Sequence, residues 1–180
     1  MATIHTLGPK TTDSYKAAKH LQDEAPDYQG FTITLHENFE DVYQHLTDFI
    51  GDYFLVPTAY QSDDGDSWTR NNYRYLDHLT IQTTFALPTM PMLLTENQAL
   101  KNKKAILHPA TTELIHQYMI DSHQNLAVDF VPSKPLAQTA FEEGNYQYAI
   151  FSKQSFLPHD SLTIIKEYHP EMVWCLYQIK

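Results

Sequence analysis

The chain has 180 residues, with 12 Lys and Arg against 22 Asp and Glu for a formal charge of −10, and this balance excludes a nucleic-acid partner, which calls for a basic face. Apolar residues make up 42%, and 12 Tyr and 9 Phe supply enough large side chains to fill a core, so a disordered chain is excluded and one domain or two small lobes is expected. No apolar run reaches the length of a membrane span, no charged-then-apolar leader opens the chain, and a single cysteine, Cys175, excludes an internal disulfide; these features predict a cytoplasmic protein with no membrane contact.

Residues 3–7 read as a short strand, broken by Gly8-Pro9-Lys10. Thr11-Thr12-Asp13-Ser14 then opens a helix that runs through Tyr15, Ala17, Ala18 and Leu21. A strand, a tight turn and a hydroxyl-rich helix start form an anion site, because the first N–H groups and the helix dipole favour negative charge and Lys10 adds a full positive one. The plainer reading is that Thr12 caps the helix and Lys10 is solvated. Both readings stand on these residues alone.

Residues 31–35 alternate as a strand, and 36–49 carry Phe39, Val42, Tyr43, Leu46 and Phe49 at helical spacing. Residues 53–56 form an apolar strand ended by Pro57, and the polar stretch 61–72 reads as a loop. Within the polar segment 63–77, Arg70 reads as a partner for nearby aspartates, and Arg74 is left open between that role and a carboxylate clamp. Residues 76–94, interrupted by Pro88 and Pro91, read as extended chain crossing from one lobe to another. Beyond them come a strand at 104–107, a helix at 110–120, a strand at 127–131, a helix at 136–142 and strands at 148–151, 162–165 and 173–179. The alternation predicts an α/β chain with mostly parallel connections.

Three strand-to-helix junctions share a pattern of Pro with a hydroxyl residue: Gly8-Pro9-Lys10-Thr11-Thr12, His108-Pro109-Ala110-Thr111-Thr112 and Pro132-Ser133-Lys134-Pro135. Ligands of open α/β sheets bind beyond the carboxyl ends of the strands, where such junctions gather, and several helix starts together suit a small dicarboxylate. Pro is also simply a good helix starter. The ten histidines are scattered, and His116 with His123 lacks the i, i+4 spacing of a zinc helix, so no metal is expected. Cys175, in an apolar strand, reads as a buried inert thiol. Ser14, His5 and Asp13 do not have the spacing of a catalytic triad.

Thr6-Leu7-Gly8-Pro9-Lys10-Thr11-Thr12-Asp13-Ser14 with Ala17-Ala18 resembles the opening motif of the prephenate dehydratases. Leu55-Val56-Pro57, Phe85-Ala86-Leu87-Pro88, His108-Pro109 and Ser133 with Ala137 follow in that family's order and spacing over nearly the whole chain. The departures are specific. Thr58-Ala59-Tyr60-Gln61 stands where the dehydratases carry Glu-Asn-Ser, and Met172-Val173-Trp174 where they carry Thr-Arg-Phe, the group that helps expel hydroxide and holds a carboxylate. Val-Pro-x-Ala-Tyr, Met-x-Trp-x-Leu and Phe141-Glu142-Glu143-Gly144-Asn145-Tyr146 are similar instead to the prephenate decarboxylases of the bacilysin (anticapsin) pathway.

The resemblance implies a two-lobed α/β fold like the type 2 periplasmic binding proteins, with a ligand cleft between the lobes. Residues 1–84 with 166–180 would form lobe 1 and 85–165 lobe 2, with no regulatory tail. It implies a lyase without cofactor or metal that acts on prephenate, by decarboxylation that leaves the ring non-aromatic. By position, Lys10, Thr11, Thr12, Ser14, Thr58, Ser133 and Lys134 would hold the dicarboxylate, and Lys134 stands where the dehydratases have Thr. Tyr60 and His108 are the candidates to deliver a proton, and Trp174 would form a wall of the pocket. Each has a plainer reading: a helix-start residue for His108, core packing for Tyr60. A homodimer is the default for small two-lobed enzymes of this kind. Two other functions fit the same losses: a silent binding protein for a small carboxylate, and a residual dehydratase giving phenylpyruvate.

Overall fold

Short apolar runs, buried on both faces in the central strands, build two five-stranded sheets in the computed structural model, which describes residues 2–62, 65–131 and 133–180. Each sheet belongs to its own unit. The first unit is Met1–Thr89 with Glu171–Lys180, and the second is Met90–Pro170.

In the first unit, strands β1 (Thr3–Leu7), β2 (Thr32–His36) and β3 (Tyr53–Pro57) run parallel, linked through helices α1 (Asp13–Glu24) and α2 (Phe39–Gln44). A short helix α3 (Trp68–Arg74) precedes β4 (Leu79–Pro88), and β10 (Glu171–Ile179) returns antiparallel between β3 and β4, giving the order β2-β1-β3-β10-β4. Alternate residues face opposite sides of this sheet. Ile4, Leu55, Trp174 and Leu176 pack with Ala17, Ala18 and Leu21 of α1. Phe54, Val56, Cys175 and Tyr177 pack with Phe39, Val42 and Tyr43 of α2.

The second unit repeats this topology, although no repeat is visible in the sequence. Strands β6 (Lys104–Leu107), β7 (Ala127–Phe130) and β8 (Tyr148–Ser152) run parallel, linked through α4 (Thr112–Ser122) and α5 (Lys134–Glu142). Strands β5 (Met92–Asn97) and β9 (Leu162–Tyr168) add antiparallel neighbours, giving the order β7-β6-β8-β5-β9. The expectation of mostly parallel connections is therefore corrected: parallel pairing is confined to three strands of each sheet, and the remaining pairings are antiparallel.

Two local expectations also change. The helix expected over 36–49 begins only at Phe39, where the Asn38 side chain accepts the Asp41 N–H at 2.7 Å, and breaks at His45 into a 3-10 turn over Leu46–Phe49. Helix α3 occupies part of the expected loop at 61–72. It lacks apolar periodicity, burying only Asn71 fully, and is held by the Ser67 cap at its start and Arg74 in its last turn. Asp63 and Asp64 of that loop, and Pro132 of the third junction, lie outside the described residues. Among the described residues, no helix is long and apolar enough to cross a membrane.

Candidate functional site

The carboxyl ends of β1 and β3 and the amino end of β10 share one edge of the first sheet, because β10 runs antiparallel with Trp174 opposite Pro57. Gly8 lets the turn after β1 lie against β2: its N–H donates to the His36 carbonyl at 2.8 Å, and a Cβ there would stand 3.0 Å from that of Leu35. Lys10 and Thr11 are exposed at the tip of this turn, and Ser14 is buried in the first turn of α1.

The Thr12 hydroxyl accepts the Tyr15 N–H at 3.2 Å and turns its one proton toward the carbonyls of Pro9 and Leu7, at 2.9 and 3.0 Å. That hydroxyl is fully engaged as a cap.

Thr58 is tied to β10, its N–H donating to the Val173 carbonyl at 2.9 Å and its hydroxyl to the same oxygen at 3.2 Å. Tyr60 is 8% exposed, packs edge-on against Phe39, and donates its hydroxyl to Glu40 Oε1 at 2.5 Å. Burial, with the hydrogen bond and charge of Glu40 behind it, pushes the Tyr60 phenol far above the ordinary tyrosine range. Trp174 is not placed as a pocket wall: it is 2% exposed and lies inside the core beneath α1.

In the second unit, the parallel strands β6, β7 and β8 direct their carboxyl ends to one edge as well. His108 follows β6 and caps the turn over Pro109–Thr111, its Nδ1 accepting the Ala110 N–H at 3.2 Å. The Nδ1 lone pair is thus engaged in this cap. Ser133 caps α5 by accepting the Leu136 N–H at 3.4 Å, and Lys134 is half-buried in the first turn that follows. Lys153, after β8, is paired with Glu167 at 2.8 Å.

The arginine left open also finds a partner. Arg74 holds both oxygens of Asp66, at 2.7 and 2.8 Å, and this pair keeps the Asp66 carboxyl below its usual range. Arg70 donates to the Gly65 carbonyl at 2.6 Å, and its charge also helps to lower the Asp66 carboxyl, in keeping with a partner for nearby aspartates. Among the described residues, no cluster of three metal-ligating side chains is present.

One polar group was not legible in the sequence because its members are far apart in the chain. Asp52 accepts the Thr3 N–H at 2.8 Å and lies 3.3 Å from His5 Nε2, while His5 Nδ1 lies 2.9 Å from His36 Nε2. Phe49 stacks on the His5 ring at 4.1 Å. The carboxylate requires an N–H from His5, so the other His5 nitrogen accepts from His36.

Both rings sit below the ordinary histidine value of 6.5, burial being the first cause in each; Asp52 opposes it at His5, and the His5 ring adds to it at His36. The unfolded chain therefore takes up protons near 6.5 that the folded chain refuses. Stability is full above that value and is lost as pH falls through the folded-state values. The melting temperature should drop between pH 7 and pH 5, and His5→Gln should flatten the slope. Equal slopes in the two proteins would count against this account.

No protein-family profile matches the chain. A prephenate decarboxylase of Bacillus subtilis (strain 168) is 26% identical to it over 98% of this chain and 86% of that protein. The fold matches a prephenate dehydratase of Arthrobacter aurescens, solved in complex with L-Phe, at a TM-score of 0.59 and 14% identity over 98% of this chain. It also matches an ABC transporter protein of Parabacteroides distasonis at a TM-score of 0.65 and 12% identity over 99% of this chain. The chain spans only 60% and 66% of those two solved chains. The fold is thus the α/β architecture, with two sheets, that dehydratases share with transport binding proteins, and the superfamily to which the motifs pointed is supported.

Proposed function

We propose that this chain, similar over its length to a prephenate decarboxylase and folded like the dehydratases, acts on prephenate. The reaction we infer is loss of the ring carboxylate as CO2. The electron pair of the broken carbon–carbon bond passes into the ring diene, a ring carbon takes a proton, and the hydroxyl stays, so no aromatic product forms. The observation that carries this reading is the pair of replacements at one sheet edge: Thr58-Ala59-Tyr60 follows β3, and Met172-Val173-Trp174 opens β10 opposite it. The first removes the dehydratase Glu-Asn-Ser group and the second its Thr-Arg-Phe group, and with them the means of expelling hydroxide.

In this reading Lys10 supplies positive charge for a substrate carboxylate at the turn after β1. Tyr60 is the proton donor we favour, because its phenol keeps its proton while the His108 Nδ1 is engaged as a cap. Decarboxylation of this kind asks the protein to orient the leaving carboxylate and keep water from it, which needs no cofactor.

The test is incubation with prephenate at neutral pH, with products resolved by mass spectrometry against a control without protein. Faster CO2 loss with the hydroxyl retained is the expected result. Faster phenylpyruvate would overturn the decarboxylase reading in favour of dehydration. A second reading, a carboxylate-binding protein, is favoured by the structural engagement of Thr12, His108 and Trp174. It predicts thermal stabilisation by prephenate with no product.

A further inference from the structure

Four strands lie at sheet edges, and three of them are short or charged. Strand β2 has five residues, β7 has four and carries Asp129, and β9 carries Lys166 and Glu167. Strand β4 is different: ten residues, Leu79–Pro88, with no charged side chain. Proteins protect bare edges with charge, bulges or covering elements, because unpaired N–H and C=O groups invite another strand. Among the described residues, nothing takes up the outward backbone groups of β4 between Thr80 and Leu87. Its register with β10 shifts so that Gln82 is an extra residue, since Ile81 faces Tyr177 and Thr83 faces Leu176. The regular stretch is therefore Thr83–Leu87, centred on Phe85 and closed by Pro88.

Helix α1 lies over the same face of the sheet, and one of its sides is arranged symmetrically about that centre. Lys16, His20 and Glu24 are four residues apart and share a side of the helix. Lys16 Nζ lies 3.4 Å from the Pro88 carbonyl, the His20 ring is 5.7 Å from Phe85, and Glu24, with Asp27, lines a groove beside Gln82 and Thr83 of about 500 Å³. A two-fold axis through Phe85 carries the Pro88 end of one copy onto the Gln82 end of another. It therefore sets Lys16 beside the acidic end, Glu24 and Asp27, of the second copy, and the reverse contact forms at the same time.

We propose that β4 is a self-association edge, at which two copies of this chain pair antiparallel about Phe85 with Lys16 of each facing Glu24 of the other. The interface is isologous, as closed dimers require, and the charge pattern fixes its register. A second copy supplies the complementary charge at both ends at once.

Sedimentation velocity over a concentration series tests this on the intact protein. The wild type should be a dimer. Lys16→Glu and Glu24→Lys should each weaken it about tenfold or more, since each creates two like-charge contacts, and the double variant should recover most of the loss. Thr84→Lys, on the exposed side of the same strand, should also weaken the dimer, and it serves if either helix variant fails to fold. A monomer at every concentration would overturn the proposal. So would a dimer indifferent to all these changes, or single losses that the double variant does not recover.

Discussion

Trp174→Ala is expected to lower the free energy of unfolding by about 3–5 kcal/mol, the range for deleting a buried tryptophan. The ring is 2% exposed and is enclosed by Ile4, Ala17, Ala18, Leu55 and Leu176. Its strand neighbours are Pro57 on one side and Phe85 on the other. Ala17 and Ala18 are the reason the loss should fall toward the upper end. They bring the α1 backbone close to the sheet and have no side chain long enough to move into the vacated space, so a cavity would persist.

Trp174→Phe, which keeps an aromatic ring, should cost roughly 1–2 kcal/mol, as partial truncations of buried side chains do. Urea unfolding of the three proteins, compared at unchanged slope, measures both numbers. A loss below about 1 kcal/mol for the alanine variant would restore Trp174 to the role of an exposed wall, because surface substitutions rarely cost more. The large loss would instead mean that this tryptophan acts on the site only by supporting the helix whose start carries Lys10 and Thr12.

The sequence disclosed elements where one physical signal dominated. The short strand at 3–7, broken by Gly8-Pro9, and the apolar run at 53–56, ended by Pro57, located β1 and β3, and the run from Thr12 through Leu21 located α1, because capping and apolar spacing agreed there. It failed at α3, where Trp68–Arg74 forms a helix whose only fully buried member is Asn71. A helix held by a cap and by polar contacts leaves no periodic trace. Strand direction was also invisible: pairing order is a tertiary property, and nothing local in 173–179 distinguishes a parallel strand from the antiparallel β10.

The candidate site followed the same division. The junctions at Thr12, His108 and Ser133 were legible as helix starts, and each proves to be capped by its own side chain. Their engagement could not be read from composition, because a hydroxyl that can bind an anion and one that caps a helix are the same residue in the same place. The Glu40 partner of Tyr60 and the group of His5, His36 and Asp52 join residues 20 to 47 positions apart, which only folding brings together.

Tyr60→Phe should reduce kcat on prephenate by about 10²-fold or more, the scale of a lost proton donor, with little change in KM. Raised far above its ordinary range, the phenol keeps its proton throughout the physiological span and can be a donor. Its bond to Glu40 adds a condition. The hydroxyl hydrogen points at Glu40 Oε1, 2.5 Å away, so Tyr60 can give it to a ring carbon only after that bond opens, and the proton is then restored from solvent.

Glu40→Gln removes the carboxylate charge that holds the proton on the phenol while preserving a hydrogen-bond acceptor, and should raise kcat without loosening the packing of Tyr60 on Phe39. Lys10→Ala, at an exposed turn, should act on the other parameter, raising KM about tenfold through a lost charge-assisted contact to a carboxylate. The separation of effects is the informative result. If Tyr60→Phe leaves kcat unchanged and only the melting temperature moves, Tyr60 is a core residue, and the proton must come from another group or from water.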